Sequence, residues 1–252
     1  MPPFISVLIC VNRIDGFFIR AIDSLRQQTC QNFEIVLVGN TLSGPDQKTV
    51  ADLAASYPKV RLFLTSVKYL TFSLNLGLHH CQGELIARMD ADDIAYPDRF
   101  EKQINFFQAH PDVDVCGAAY DLIDDNDHII GSRALPLSNQ DVRQALYWKN
   151  PLAHPTVMFK KESVQRFGGY MGGVHGEDYD LWCRMARDTS VRFANLPDTL
   201  LGYRAAPTGL ARKSKLAYAT VSASQWGNFV LTGDPRWLLG AMMTLAKRVI
   251  RQ

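Results

Sequence analysis

Long apolar runs are missing from this 252-residue chain. No uninterrupted stretch reaches the ~18–20 residues that a spanning helix needs, so no membrane span is expected. Cysteine is scarce and unpatterned. The five cysteines (Cys10, Cys30, Cys81, Cys116, Cys183) are odd in number and never spaced C-x-x-C, which argues against a disulfide framework and a structural zinc site. A reducing cytoplasm is the natural setting. No basic segment precedes a longer apolar stretch at the start, so no secretory signal is expected. A basic recognition helix and zinc spacings are also lacking, and nucleic acid is not an expected partner. No internal repeat or low-complexity segment is visible. Hydrophobic residues at 47% and charged residues at 21% then describe an ordinary globular protein, large enough to bury a sizeable core.

Charge is low in sum but uneven in place. The formal net charge is +2, yet residues 203–252 hold eight Lys or Arg against the single acid Asp234, leaving the rest of the chain net acidic. An acidic body with a basic tail suits contact with phosphates or an anionic membrane. From Pro235 the run RWLLGAMMTLAKRVIRQ puts Leu238, Met242, Leu245 and Val249 on one helical stripe, with Lys247, Arg248 and Arg251 near its end. We expect this helix to lie on an anionic membrane surface with Trp237, Leu238, Met242 and Leu245 buried in the interface. The competing expectation is a helix docked on the domain, its cations completing the dipole.

Residues 4–11 (FISVLICV) and 33–38 (FEIVLV) are continuous apolar runs, the mark of strands buried on both faces. Between them Phe18, Ile22 and Leu25 recur at helical spacing. Helices over 46–57, 73–81 and 100–109 and strands over 60–64, 85–89 and 113–120 continue the alternation, so an α/β fold with a parallel sheet is predicted. Past Asp121 the pattern turns to mixed strands and helices.

The run Leu85 to Met89 ends abruptly in Asp90-Ala91-Asp92-Asp93. Acids at the carboxyl end of a buried strand sit where open α/β sheets bind ligands. Carboxylates at i and i+2 can reach two parts of one nucleotide while sharing a hard divalent cation. The bland alternative is an Asp-rich turn before the helix that Pro97 introduces. Farther on, Glu177-Asp178 opens an apparent helix in which Leu181, Trp182 and Met185 can anchor. An Asp there can take a proton from an attacking hydroxyl; acids at that place also simply favour a helix N-terminus.

Taken in order, ISVLICVN (5–12), LNLGL (74–78), GELIARMDADD (83–93), HPTVMF (154–159), GGY (168–170), GEDYDLWCR (176–184) and LLGYR (200–204) closely resemble the family 2 glycosyltransferases of GT-A fold. The resemblance covers roughly residues 4–204. It implies a Rossmann-like nucleotide-binding half with a mixed central sheet flanked by helices. We therefore expect a domain over 1–215, with a nucleotide-sugar half about 1–120 and an acceptor half about 121–215, and a basic helical extension over 216–252.

The resemblance also implies direct displacement, with inversion, of a nucleoside diphosphate from a nucleotide-sugar donor by a hydroxyl of a glycan or lipid-linked glycan. The setting would be a bacterial surface polysaccharide such as lipopolysaccharide or capsule, with the enzyme cytoplasmic and peripheral on the inner membrane. The cofactor implied is Mn²⁺ or Mg²⁺. By position Asp90 faces the ribose, Asp92 ligates the metal, Asp93 supports that turn and Asp178 is the general base. Asn12, Asn40 and Arg88 join Asp90 and Asp92 in the donor set. Glu177, His154, His175 and Arg204 fall on the acceptor or supporting side.

Three departures stand out. The acid usual after the second strand is Asn40, which can still hydrogen-bond a pyrimidine edge without charge. Cys10-Val11 replaces the Tyr or Thr often found before Asn12. Tyr203-Arg204-Ala205-Ala206 lacks a His two residues after the Arg, leaving Arg204 or Arg212 to compensate. A nucleotidyltransferase is the main rival, although Asn12-Arg13-Ile14-Asp15-Gly16 makes a poor phosphate loop. A non-catalytic sugar-nucleotide binder is the other.

Overall fold

The computed structural model describes residues 4–173, 175–205 and 215–250, with side chains in the last stretch described over 216–247. Arg212 and Arg251 lie outside the described residues. The first half alternates as its pattern predicts: β1 (Ile5–Val11), α1 (Gly16–Arg26), β2 (Phe33–Asn40), α2 (Gly44–Ser56), β3 (Val60–Thr65), α3 (Leu70–His80) and β4 (Leu85–Asp90). Then follow β5 (Ile94–Ala95), α4 (Arg99–Ala109), β6 (Val115–Ile123), β7 (Ile129–Arg133), α5 (Asn139–Leu146) and a single 3-10 turn at His154–Thr156. The rest comprises β8 (Met158–Lys160), α6 (Lys161–Arg166), α7 (Glu177–Met185), β9 (Phe193–Arg204) and the helices α8 (Lys215–Thr232) and α9 (Pro235–Ile250).

All nine strands form one sheet in the order β3-β2-β1-β4-β8-β6-β9-β5, with β7 added to β6. β1 pairs in parallel with β2 and β4, and β2 with β3. The sheet turns mixed where β8 enters antiparallel between β4 and β6. Helices cover both faces, so β1, β2 and β4 read as largely apolar runs in which Glu34 and Arg88 are buried charged exceptions. One face packs Phe18, Ile22, Phe100 and Ile104 against the strands, the other Leu74, Tyr179, Trp182 and Trp237. The second face is tight: a Cβ on Gly77 of α3 would run into the Leu8 side chain of β1 and lie 3.0 Å from Val38, so a larger residue would have to displace Leu8.

The C-terminal helices correct the expectation for Trp237. This side chain is 5% exposed and packs on Tyr147, ring centroids 4.5 Å apart. With it Gly240, Ala241 and Thr244 form the face of α9 that is turned inward, at spacings of three and four. Leu239, Met242, Met243 and Leu245 are exposed. The helix is therefore docked on the domain, and the residue expected to lead its insertion is a core residue instead. α8 packs Val221 and Phe229 on the core but also buries polar side chains, unlike most surface helices. It turns Ser222, Gln225 and Asn228 inward, where Gln225 donates to the Tyr147 carbonyl (2.9 Å) and Asn228 to that of Cys183 (3.1 Å). Trp226, Val230 and Leu231 face outward.

Candidate active site

β4 is the strand on which the site is built. Alternation puts Arg88 and Asp90 on the same face two residues apart. Arg88 is 3% exposed and lies against Asp90, Nη1 to Oδ1 2.5 Å, while its carbonyl accepts from Arg99 Nη2 at 2.8 Å. Burial is the largest influence on Arg88 and opposes its charge, but Asp90 together with the other neighbouring groups outweighs it and holds the guanidinium charged.

The three acids that follow part company. Asp92 is exposed at the turn, but desolvation of its carboxyl as the surrounding loop crowds it, then repulsion from Asp90, raises it above the ordinary range. Asp93 is raised further by the same causes, being almost fully buried, although it accepts the Arg204 N–H at 2.8 Å. Arg204 completes the turn: its Nε donates to the Asp92 carbonyl (2.8 Å), Nη1 to the Asp124 carbonyl, and Nη2 pairs with Asp127, with the guanidinium over the Phe17 ring at 4.3 Å. Asp93 and Arg204 thus hold the loop from behind rather than facing a cleft.

The Glu177-Asp178 pair is set by Gly176, whose φ of +75° is left-handed and costs a side-chain residue strain. Gly176 is the N-cap, and both acids fall in the first turn of α7. A helix N-terminus favours carboxylates, yet here burial prevails. Glu177, 8% exposed, is pushed up to about 7 by burial and then by Asp178. Asp178 is also raised by burial, while the Tyr179 N–H and the Asn150 amide, 2.6 Å from Oδ2, hold it down.

Around these groups lie three connected spaces. A cleft of about 650 Å³ is lined by Arg88, Asp90, His154, His175, Glu177 and Asp178. A second, of about 370 Å³, lies across Asp90 and takes in Asn12 and Asp92. A third, of about 210 Å³, extends from Asn12 to Asn40, Lys68 and Ser73. Asp90 borders both of the larger ones. His154 is buried, with Nε2 3.0 Å from the Tyr170 hydroxyl, and burial next to Arg88 holds it neutral. His175 is exposed at the rim. Asn40 donates Nδ2 to the Val67 carbonyl (2.7 Å) and Ser73 Oγ (2.6 Å), leaving its buried Oδ1 without a hydrogen-bond partner. A carbonyl only accepts, so Val67 fixes which end of the amide remains free.

Asn150 escaped the sequence reading, although the Asn150-Pro151 turn signal just ahead of the HPT block could have pointed to it. Tyr170, inside the GGY block, escaped as the partner of His154. Among the described residues no three His, Cys, Asp or Glu side chains converge as a ready-made metal cage. The chemistry of Asp90 and Asp92, two mutually repelling carboxylates, instead suits a hard cation that completes its shell with phosphate oxygens and water.

The spaces along Asn12, Asn40 and Asp90 lie at the carboxyl ends of β1, β2 and β4, where open α/β sheets bind ligands, and Asp90 also borders the Glu177–Asp178 cleft. The model of Glycosyl transferase family 2 matches residues 6–168. The O-antigen biosynthesis glycosyltransferase WbnJ of Escherichia coli is 36% identical over 85% of this chain and 84% of its own. The amylovoran biosynthesis glycosyltransferase AmsE of Erwinia amylovora is 41% identical over 74% and 70%. An E. coli UDP-Gal:alpha-D-GlcNAc-diphosphoundecaprenol beta-1,3-galactosyltransferase is 28% identical over 86% and 80%. In fold the chain is similar to S. aureus TarS in complex with UDP-GlcNAc (TM-score 0.70, 13% identity, 98% of this chain and 71% of that one). It is also similar to a Pyrobaculum calidifontis mannosyltransferase in complex with GDP-Man and Mn²⁺ (TM-score 0.63, 17% identity, 100% and 76%). This chain belongs to glycosyltransferase family 2, with the mixed α/β architecture of the GT-A fold.

Proposed function

We propose that this glycosyltransferase moves a sugar, with inversion, from a nucleoside-diphosphate donor to a hydroxyl of a lipid-linked glycan during assembly of a bacterial surface polysaccharide. The observation that carries the reading is the shared position of Asp90 between the Asn12–Asp92 space and the Glu177–Asp178 space. The donor's nucleoside lies along Asn12 and Asn40 and its sugar crosses Asp90 towards Asp178. Residues 1–120 form the donor half, 121–215 the acceptor half and 216–252 the extension. Arg88, charged and desolvated beneath Asp90, fixes that carboxylate for the ribose. Asp178 takes the acceptor's proton as the hydroxyl attacks, and Asn150 aims the carboxylate. Glu177 and His154 orient the acceptor. A Mn²⁺ or Mg²⁺ ion held by Asp92 would, when bound, neutralise charge on the departing diphosphate.

We also place the enzyme peripherally on the cytoplasmic face of the inner membrane. No described helix is long and apolar enough to cross a membrane. The outward residues of α8 and α9, Trp226, Val230, Leu231, Leu239, Met242 and Met243, give an apolar surface near Lys247, and each basic residue at an anionic surface adds about 1 kcal/mol.

The test is a screen of UDP-, GDP- and dTDP-sugars with Mn²⁺ for a raised melting temperature, since a ligand of the folded state stabilises it, followed by product analysis. Free nucleoside diphosphate with a glycosylated acceptor supports the reading. Pyrophosphate release would mark a nucleotidyltransferase, and binding without product a non-catalytic member.

A further inference from the structure

A fourth cleft, of about 420 Å³, lies between the loop after α5 and the α8–α9 pair. It shares Asn150, Gly176 and Asp178 with the large cleft, so its inner end reaches the proposed base. Its walls carry Trp148, Lys149, Tyr218 and Lys247. Asp178 is the only acid among its lining residues. Neither Lys149 nor Lys247 makes an ion pair among the described residues, and both are exposed. Lys247 comes from α9, whose exposed residues include Leu239, Met242 and Met243.

We propose that this cleft binds the diphosphate and first sugar of a prenyl-diphosphate-linked acceptor. The two ammonium groups take the diphosphate, Trp148 and Tyr218 offer aromatic surface to the sugar and the first prenyl unit, and the acceptor hydroxyl points inward to Asp178. The chemistry is specific in three ways. Two unpaired cations facing one space call for a multiply charged anion. Aromatic rings beside them call for a ligand with an apolar body. The shared Asp178 calls for a hydroxyl at the inner end. The donor's diphosphate is accounted for elsewhere, across Asp90 near Asp92. The inference rests on the glycosyl-transfer reading and adds to it the charged handle by which the acceptor is held.

Farnesyl diphosphate, a soluble prenyl diphosphate, is the probe, titrated calorimetrically into the full chain with Mn²⁺ and saturating UDP, GDP or dTDP. Binding is expected to survive the nucleotide, to weaken for farnesyl monophosphate and to vanish for farnesol. The K149Q/K247Q double variant should lose at least tenfold in affinity, and each single variant part of it. Both side chains are exposed, so melting temperatures should match wild type; should the double variant melt early, the single variants decide. Displacement by nucleotide would mean that the probe sits in the donor site and overturns the proposal. Equal binding of farnesol, competition by inorganic pyrophosphate at equal affinity, no binding, or unchanged affinity in every lysine variant overturns it too. Nucleotide binding by thermal shift reads the glycosyl-transfer assignment separately, so failure of one is not mistaken for failure of the other.

Discussion

Asn150 donates its side-chain amide to Asp178 Oδ2 across 2.6 Å, joining the loop after α5 to the first turn of α7. Asp178 is held raised by burial and partly restrained by this bond. As the proposed general base it must be ionised, so the acidic limb of the kcat/KM profile should lie above the usual aspartate range. Asn150→Ala removes a donor to the charged form and should move that limb to higher pH. Asp178→Asn should lower kcat by roughly 10²–10⁴-fold, the range for a lost general base, with donor affinity retained. A variant that instead loses donor affinity at normal turnover would make Asp178 a binding residue.

Glu177 ties stability to pH. Its pKa in the folded state is raised from the ordinary 4.5 to about 7, so between those values the folded protein holds a proton that the unfolded chain has released. Stability should therefore fall as pH rises through that window, by up to about 3 kcal/mol, and stay lower above it. Glu177→Gln removes the titration. Denaturant unfolding at pH 4.5 and pH 8 should show the variant gaining on wild type at the higher pH alone.

Asp92 sits on an exposed turn held from behind by Asp93 and Arg204. Asp92→Ala should abolish transfer while shifting the melting temperature little. Chelation of wild type should match the variant, and full activity in chelator would remove the metal from the account.

Asn40→Asp places a carboxylate where Nδ2 now donates to Val67 and Ser73. An oxygen facing the Val67 carbonyl should cost about 1–3 kcal/mol. It should also change the affinities for UDP, GDP and dTDP donors, measured by titration. Unaltered preferences would mean that this position does not read the base.

Because Trp237 is in the core, truncation before Asp234 should destabilise the protein, and Trp237→Ala alone should cost about 3–5 kcal/mol. The sharper test of membrane contact is Leu239→Ser/Met242→Ser/Met243→Ser, which leaves the docked face whole. Flotation with anionic liposomes should fall for this variant, and fall with salt for wild type, at an unchanged melting temperature.

What was legible follows from which surfaces are covered. β1, β2 and β4 are sealed on both faces, so their sequences are mostly apolar and mark themselves, with Glu34, Arg88 and Asp90 as the charged exceptions. β9 escaped because Pro197-Asp198 interrupts it, where the register against β6 also shifts, and β5 has only two residues. Asp90, Asp92 and the Glu177-Asp178 pair were visible as acids at element ends. Asn150 was not, because an uncharged residue in a loop announces no role until the fold brings Asp178 to it. α9 misled in a particular way: both its faces are apolar, and the sequence does not say which one meets the protein. Tyr147, ninety residues earlier in the chain, decides it.

The two sides of α8 are under different constraints. It meets the domain through Val221 and Phe229, packed on the core, and through Gln225 and Asn228, whose amides find defined partners inside, while Ser222 bonds to α9. Replacing Trp226, Val230 or Leu231 touches none of those bonds, and surface changes of that sort usually fall within about 0.5 kcal/mol. The outward apolar character of α8 can therefore be lost or strengthened with little effect on folding.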